Sequence, residues 1–255
     1  MKKKVLILFL VAILIIGGAF FVYKKLDSSN VIKEPIPSAQ VYQSLTPSVT
    51  SKISPSQTVP PTTNSSLPSE INLAVSFTSQ APAKNWGLPY AEFCEEASAL
   101  MAASYINGWS IPSIEFADQK MLEIKEFEEQ RFGYYKDTTA EETAVILREF
   151  YKIEKVKVMY EPTIQDIKKA LSENRVVLVP AAGRQLGNPY FQSPGPIYHM
   201  LVIKGYTKEG NFITNDPGTR RGADFIYAPD VLMNANHDWN GGDVNNGRKV
   251  VIIVG

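Results

Sequence analysis

Cysteine is almost missing from this 255-residue chain: there is one, Cys94. A lone thiol closes no intramolecular disulfide, so the fold has to stand on its core. Histidine is scarce too, with only His199 and His237. Net charge is absent, because 26 basic side chains balance 26 acidic ones. A nucleic-acid surface shows as clustered Lys and Arg, and this balance gives no sign of one. No internal repeat is visible. What the chain does have is apolar material, 44% hydrophobic and 11% aromatic, enough for a packed core.

That material is unevenly spread. Val5 to Tyr23 is an uncharged, almost wholly apolar run of 19 residues. At about 1.5 Å per residue it just crosses a bilayer core of about 30 Å. Lys2, Lys3 and Lys4 precede it, which keeps the N-terminus cytoplasmic. Residues 1–26 are therefore expected to be a single-pass membrane anchor with the rest of the chain outside. The alternative is a cleaved signal peptide and a secreted protein. Residues 27–70 are rich in Pro, Ser and Thr and poor in large apolar side chains. They cannot bury enough surface to offset ordering entropy, so a disordered spacer is expected.

From residue 71 the pattern turns globular. INLAVSFTSQ reads as a strand, and QAPAKNWGLPYAEF, with Pro82, Gly87 and Pro89, as an irregular loop. In CEEASALMAASYING, Ala97, Leu100, Met101, Ser104 and Tyr105 form one helical stripe. Residues 110–136 predict an acidic amphipathic helix or helix pair, with Phe116, Met121, Ile124 and Phe127 inward and the charges solvated. Thr139 to Glu142 is a capping box, and Thr163 caps another helix. KVKVMY, RVVLVPAA, IYHMLVIKGY, FITNDPG and RKVVIIVG predict strands, the third preceded by a long Gly/Pro loop. Helices come first and strands cluster later. The expected class is α+β, with a mostly antiparallel sheet over residues 71–255.

Cys94 opens its helix, where the dipole and unpaired N–H groups favour a thiolate, the nucleophilic form. A base is then wanted. His199 starts the strand HMLVIKGY, and the next strand ends in Asn215-Asp216. In a hairpin turning around Lys208–Gly210, the start of the first strand lies beside the end of the second. An acid or amide there would orient the imidazole. Neighbouring strand residues face opposite ways, so only one of Asn215 and Asp216 can serve; the Asp-Pro turn favours Asp216. Gln80, in the loop before the cysteine, could supply an oxyanion donor beside the Cys94 N–H. Trp86 and Tyr190 are candidate walls of a substrate groove, or plain packing residues. Asp238, Asn240 and Asp243, near His237, hint at calcium, but their spacing does not match an EF-hand loop, and no metal or cofactor is expected.

Together these residues carry a resemblance. Gln80, then W-x-x-P-x-x-x-x-C at Trp86, Pro89 and Cys94, then H-x-x-V-x-x-G-Y at His199, Val202, Gly205 and Tyr206, then Asp216-Pro217, resemble the papain-like cysteine peptidases. Within them the set is similar to the family that trims double-glycine leaders from bacteriocins (cysteine-peptidase family thirty-nine) and its standalone relatives. The resemblance covers about residues 73–255. It implies a papain-like fold, Cys94 as nucleophile, His199 as general base and acid, Asp216 as orienter and Gln80 as oxyanion donor. There are departures. Glu95-Glu96 follows the cysteine where such peptidases often have Gly-Pro. These carboxylates would raise the thiol's pKa if they faced it, or support the helix N-terminus if they face away. The Cys-to-His interval, 105 residues, is longer than in the transporter-borne peptidases. No ATPase or transporter body is present, so the leader substrate does not carry over. The implied function is a membrane-tethered, monomeric hydrolase acting outside the cytoplasm on a peptide or protein substrate. An acyl or peptidyl transferase, a catalytically silent peptide-binding module and a structural surface protein are the alternatives.

Overall fold

The structure, a computed structural model, describes residues 31–42 and 67–255. The expected anchor at 1–26 and the middle of the spacer lie outside the described residues. Among the described residues no helix is long and apolar enough to cross a membrane.

One sheet organises the fold. Its strands are β1 (Ile71–Asn72), β2 (Val156–Tyr160), β3 (Val176–Ala182), β4 (Tyr198–Tyr206), β5 (Phe212–Asn215), β6 (Phe225–Tyr227) and β7 (Val250–Val254). The order is β2-β7-β3-β4-β5-β6, with β1 also pairing β4, and every pairing is antiparallel. The α+β class and antiparallel sheet expected from the sequence are what the chain forms. Runs such as VVLVPAA in β3 and VVIIV in β7 are buried along their whole length, which is why they do not alternate.

The helix that Cys94 opens, α1 (Cys94–Ile106), packs on β4 and β3. The sequence suggests one buried stripe, but every residue from Cys94 to Tyr105 is buried. The sheet covers one side; α2 (Ile114–Phe132) and α3 (Ala140–Val145) cover others. The small side chains Ala97, Ala99, Ala102 and Ala103 allow that close approach on all sides. Ser113 caps α2 and left-handed Gly133 ends it. The Thr139–Glu142 capping box forms as the sequence indicates, and α3 runs on into a π-helical turn, Ile146–Phe150. Thr163 likewise caps α4 (Ile164–Ser172) with Asp166. Strand β6 and the short helix α5 (Pro229–Ala235) are not evident in the sequence.

Two features differ from the sequence expectation. Residues 31–42, counted as disordered spacer, lie against the domain. The Gln40 N–H donates to Asn72 O and the Ala74 N–H to Gln40 O, both at 2.7 Å. Thr207 and Asn211 donate to the Glu34 carboxylate at 2.6 Å each. Composition describes how little a segment can bury by itself; here the ordering is offset by backbone pairing beside β1. Second, α2 does not keep all its charges in water: Glu128 is fully buried beside Met121 and Ile124.

Gly205 fixes how β1 meets β4. A Cβ there would stand 2.1 Å from the Ile71 carbonyl oxygen, so only glycine lets the two backbones approach this closely.

Candidate active site

The β4–β5 hairpin turns through Thr207 and Gly210 and places the ends of its strands together. Val202 pairs with Asn215, so Asp216 follows directly into the space beside the start of β4. His199 Nε2 and Asp216 Oδ1 are 2.8 Å apart. Both residues are almost completely buried. Asn215 faces the other way; its amide donates to the carbonyls of Val75 and Ser76 and its oxygen accepts from the Asp224 N–H.

Asp216 is held by more than the imidazole. Tyr227 Oη donates to its Oδ2 at 2.6 Å and Asn188 Nδ2 at 2.9 Å, while the Gly218 N–H donates to Oδ1 at 3.0 Å. Burial opposes the charged form, yet His199, Tyr227 and Asn188 outweigh it and hold the carboxyl below its usual range. Asn188 and Tyr227 escaped the sequence reading. Asn188 sits inside the Gly/Pro loop and Tyr227 on a three-residue strand, and neither position has a spacing that points to His199.

Phe191, from the same loop, packs edge-on against the His199 ring with centroids 5.2 Å apart. Gly218 lies on the ring as well: a Cβ there would come within 2.8 Å of His199 Cε1. Any side chain at 218 would push the imidazole out of place.

Cys94 begins α1, whose N-cap Phe93 offers no side-chain acceptor, leaving first-turn N–H groups uncapped. The Met200 backbone reaches the sulfur, and Ser98 Oγ donates to the Met200 carbonyl at 3.1 Å. Helix α1 is therefore pinned to β4 one residue past His199. Among the described residues, however, the thiol's side-chain partner is Glu95: Sγ donates to Oε2 at 2.8 Å, and Cys94 and His199 share no hydrogen bond. Burial, then the Glu95 carboxylate and its hydrogen bond, push the thiol well above its ordinary value.

Glu95 belongs to a buried acidic group. Burial raises Glu95 to about 8 and Glu128 to about 9, and Glu96, facing Glu128, also stands well above the usual carboxylate range. Among the described residues, no oxygen of Glu96 or Glu128 has a hydrogen-bond partner. Of the two glutamates after Cys94, Glu95 turns toward the thiol and Glu96 toward α2.

Gln80 is buried between the two halves of the site. Its N–H donates to Pro217 O, next to Asp216, and its Nε2 donates to the carbonyls of Tyr90 and Ala91 at 2.9 and 3.0 Å, just before Cys94. Trp86 and Tyr190 share one open cleft of about 450 Å³, which Phe191 and Gly218 also line. The polar loop around His237 is internally occupied. Asp238 accepts from the Ala140 and Trp239 N–H groups, and Asp243 accepts from Asn246 and Asn240. Among the described residues no three His, Cys, Asp or Glu side chains are grouped to hold a metal ion.

Residues 72–241 match the model of the Peptidase C39 like family. Among solved structures, a protein from Bacillus anthracis described as a C39-like peptidase is 14% identical over 73% of this chain and 98% of its own, with a TM-score of 0.48. A fragment of prointerpain A from Prevotella intermedia is also 14% identical, over 70% of this chain and 55% of its own, with a TM-score of 0.37. No curated protein matches.

Proposed function

The chain belongs to the Peptidase C39 like family, a group of cysteine-peptidase type, and on that premise we propose that it cleaves a peptide or amide bond through an acyl-thioester on Cys94. The observation that carries the proposal is the buried His199–Asp216 pair on the strand to which the cysteine helix is pinned. Nε2 faces Asp216, which leaves Nδ1 for proton traffic with the reactants. The Cys94 proton passes to His199 as sulfur attacks the carbonyl carbon. The resulting oxyanion is received by the Cys94 N–H and by Gln80, whose carboxamide exchanges one of its carbonyl bonds for it. The imidazolium then protonates the leaving amine. Water, deprotonated by the same imidazole, attacks the thioester and returns the thiol. An amine in place of water would make the reaction a transfer. The expected anchor at residues 1–26 would tether this activity to a membrane with the domain outside.

A second reading has its own support. The Glu95 bond to the thiol opposes ionisation, as expected of a peptide-binding module whose cysteine no longer reacts. One experiment separates the two. Full-length protein in detergent is incubated with a mixture of unrelated peptides and, separately, with a peptidyl fluoromethyl ketone, and both are read by mass spectrometry. Cleavage together with an adduct on Cys94, both lost in His199→Ala, supports the peptidase. Peptide retention with neither cleavage nor adduct supports the binding module.

A further inference from the structure

The cleft shared by Trp86 and Tyr190 is built from three separate stretches of chain. Trp86 comes from the loop before α1, Tyr190 and Phe191 from the Gly/Pro loop before β4, and Gly218, Arg220 and Arg221 from the turn after Asp216. Phe191 and Gly218 also pack against the buried His199 ring, so the cleft is separated from the imidazole by these two residues. Two guanidinium groups on one rim stand out in a chain of zero formal charge. Among the described residues neither Arg220 nor Arg221 pairs with a carboxylate or, as Arg148 and Arg184 do, donates to a backbone carbonyl. The nearby acids are committed elsewhere: Asp216 to His199, Tyr227 and Asn188, and Asp224 to Lys204. Arg221 lies over the Tyr190 ring at 4.9 Å, which steadies one face of the guanidinium and leaves its N–H edge for a ligand. Trp86, an exposed aromatic, lines the same cleft.

We propose that this cleft binds the substrate through a carboxylate held by Arg220 and Arg221, next to an apolar residue laid against Trp86. The inference rests on the peptidase reading only for the word substrate; the acidic selectivity concerns binding. The ligand chemistry is an acidic peptide, and its carboxylate comes either from an Asp or Glu side chain or from a free C-terminus. Planar guanidinium groups match either one in a two-pronged hydrogen bond.

The test uses the full-length chain in detergent, with Cys94→Ala to prevent turnover. Short fluorescein-labelled peptides carry Leu-Glu, Leu-Gln or Leu-Lys at one internal position, with the C-terminus amidated. A fourth carries Leu-Gln with a free C-terminal carboxylate directly after it. Fluorescence anisotropy reads the affinities. The Glu peptide, the free-carboxylate peptide, or both should bind roughly two- to fivefold tighter than the amidated Gln peptide, the range open to partly exposed charge pairs. The advantage should shrink as salt rises from about 50 mM to about 500 mM. It should vanish in Arg220→Ala/Arg221→Ala and persist in part in Arg220→Lys/Arg221→Lys, with circular dichroism checking that both variants fold. Equal affinities for all four peptides overturn the assignment, as does a preference that survives removal of both arginines. Cleavage of the same peptides by the wild-type protein is scored apart. Its absence beside an intact acidic preference counts against the peptidase reading and leaves the cleft assignment standing.

Discussion

Cys94 Sγ donates a hydrogen bond to Glu95 Oε2 at 2.8 Å, so the thiol and the carboxylate that follows it in sequence hold each other inside the protein. Both are buried, and each carboxylate or thiolate formed there raises the cost of forming the next. This bond keeps the resting sulfur protonated, which is the opposite of what the N-terminus of a helix does to an isolated cysteine.

Glu95→Gln should therefore lower the pH at which Cys94 reacts. Iodoacetamide alkylation of full-length protein, followed from about pH 5 to about pH 10, should show the wild-type midpoint above the free-thiol value of about 8.5. In Glu95→Gln the midpoint should fall by about one unit or more, so alkylation above about pH 8, where Glu95 is ionised in the wild type, speeds up on the order of tenfold. An unchanged midpoint in the variant would mean that burial alone controls the thiol. A wild-type midpoint near pH 5–6 would show that peptide-free protein already holds a thiolate–imidazolium pair.

Asp216 supports the imidazole with an anion that is itself held by Tyr227 and Asn188. If His199 carries the proton traffic, Asp216→Asn keeps the shape but loses the anion, and kcat should drop by about 10²–10⁴ with KM little changed. Tyr227→Phe removes one of the bonds to the carboxylate and should cost far less in rate. Linkage gives an independent readout. Asp216 is depressed in the fold, so its contribution to stability is present above its ordinary carboxylate value and is lost as pH falls through the lower folded value. Asp216→Asn should flatten this acid-side loss in a chemical denaturation series. A variant with full kcat would remove Asp216 from the mechanism.

Gly205→Ala should be costly, because the new Cβ meets backbone at 2.1 Å and no side chain can yield. Separating β1 from β4 should lower stability by about 1–3 kcal/mol or more, read as a fall in thermal midpoint. A midpoint within a degree or two of wild type would show that β1 moves aside freely.

The hairpin was the most legible part of this protein. A short covalent turn at Lys208–Gly210 obliges His199 and the end of β5 to meet, whatever the rest of the chain does. Helix starts at Thr139 and Thr163 were equally readable, since a capping box is a local bond pattern. Long-range choices were not. Nothing near Asn188 or Tyr227 shows that they converge on Asp216, and Gln80's carboxamide turns to the Tyr90 and Ala91 carbonyls for reasons of loop shape. Strand β6 is three residues long, too short for periodicity to register. Acidic side chains default to solvent in any sequence reading, so the burial of Glu95, Glu96 and Glu128 was invisible in the sequence.

That burial makes a prediction of its own. Glu96 on α1 and Glu128 on α2 face each other with no cation between them, and further acids, Glu95, Glu129 and Glu142, add their repulsion. In the fold Glu128 titrates near 9, against 4.5 for the ordinary side chain. The unfolded chain therefore gives up this proton first. The stability tied to it is fully present below about pH 4.5, declines as pH rises from there, and is gone above about pH 9. The slope is at most about 1.4 kcal/mol per pH unit for one proton. Gln has the shape of the protonated acid and never ionises. Glu128→Gln should then match wild type near pH 5 and exceed it by one to a few kcal/mol near pH 8. Urea denaturation of both proteins at several pH values measures the difference directly. Parallel curves, or a variant weakened at every pH, would mean that a shared proton does not join these helices. A gain that grows with pH would show that the contact between α1, which carries Cys94, and α2 depends on keeping a carboxyl group protonated at neutral pH.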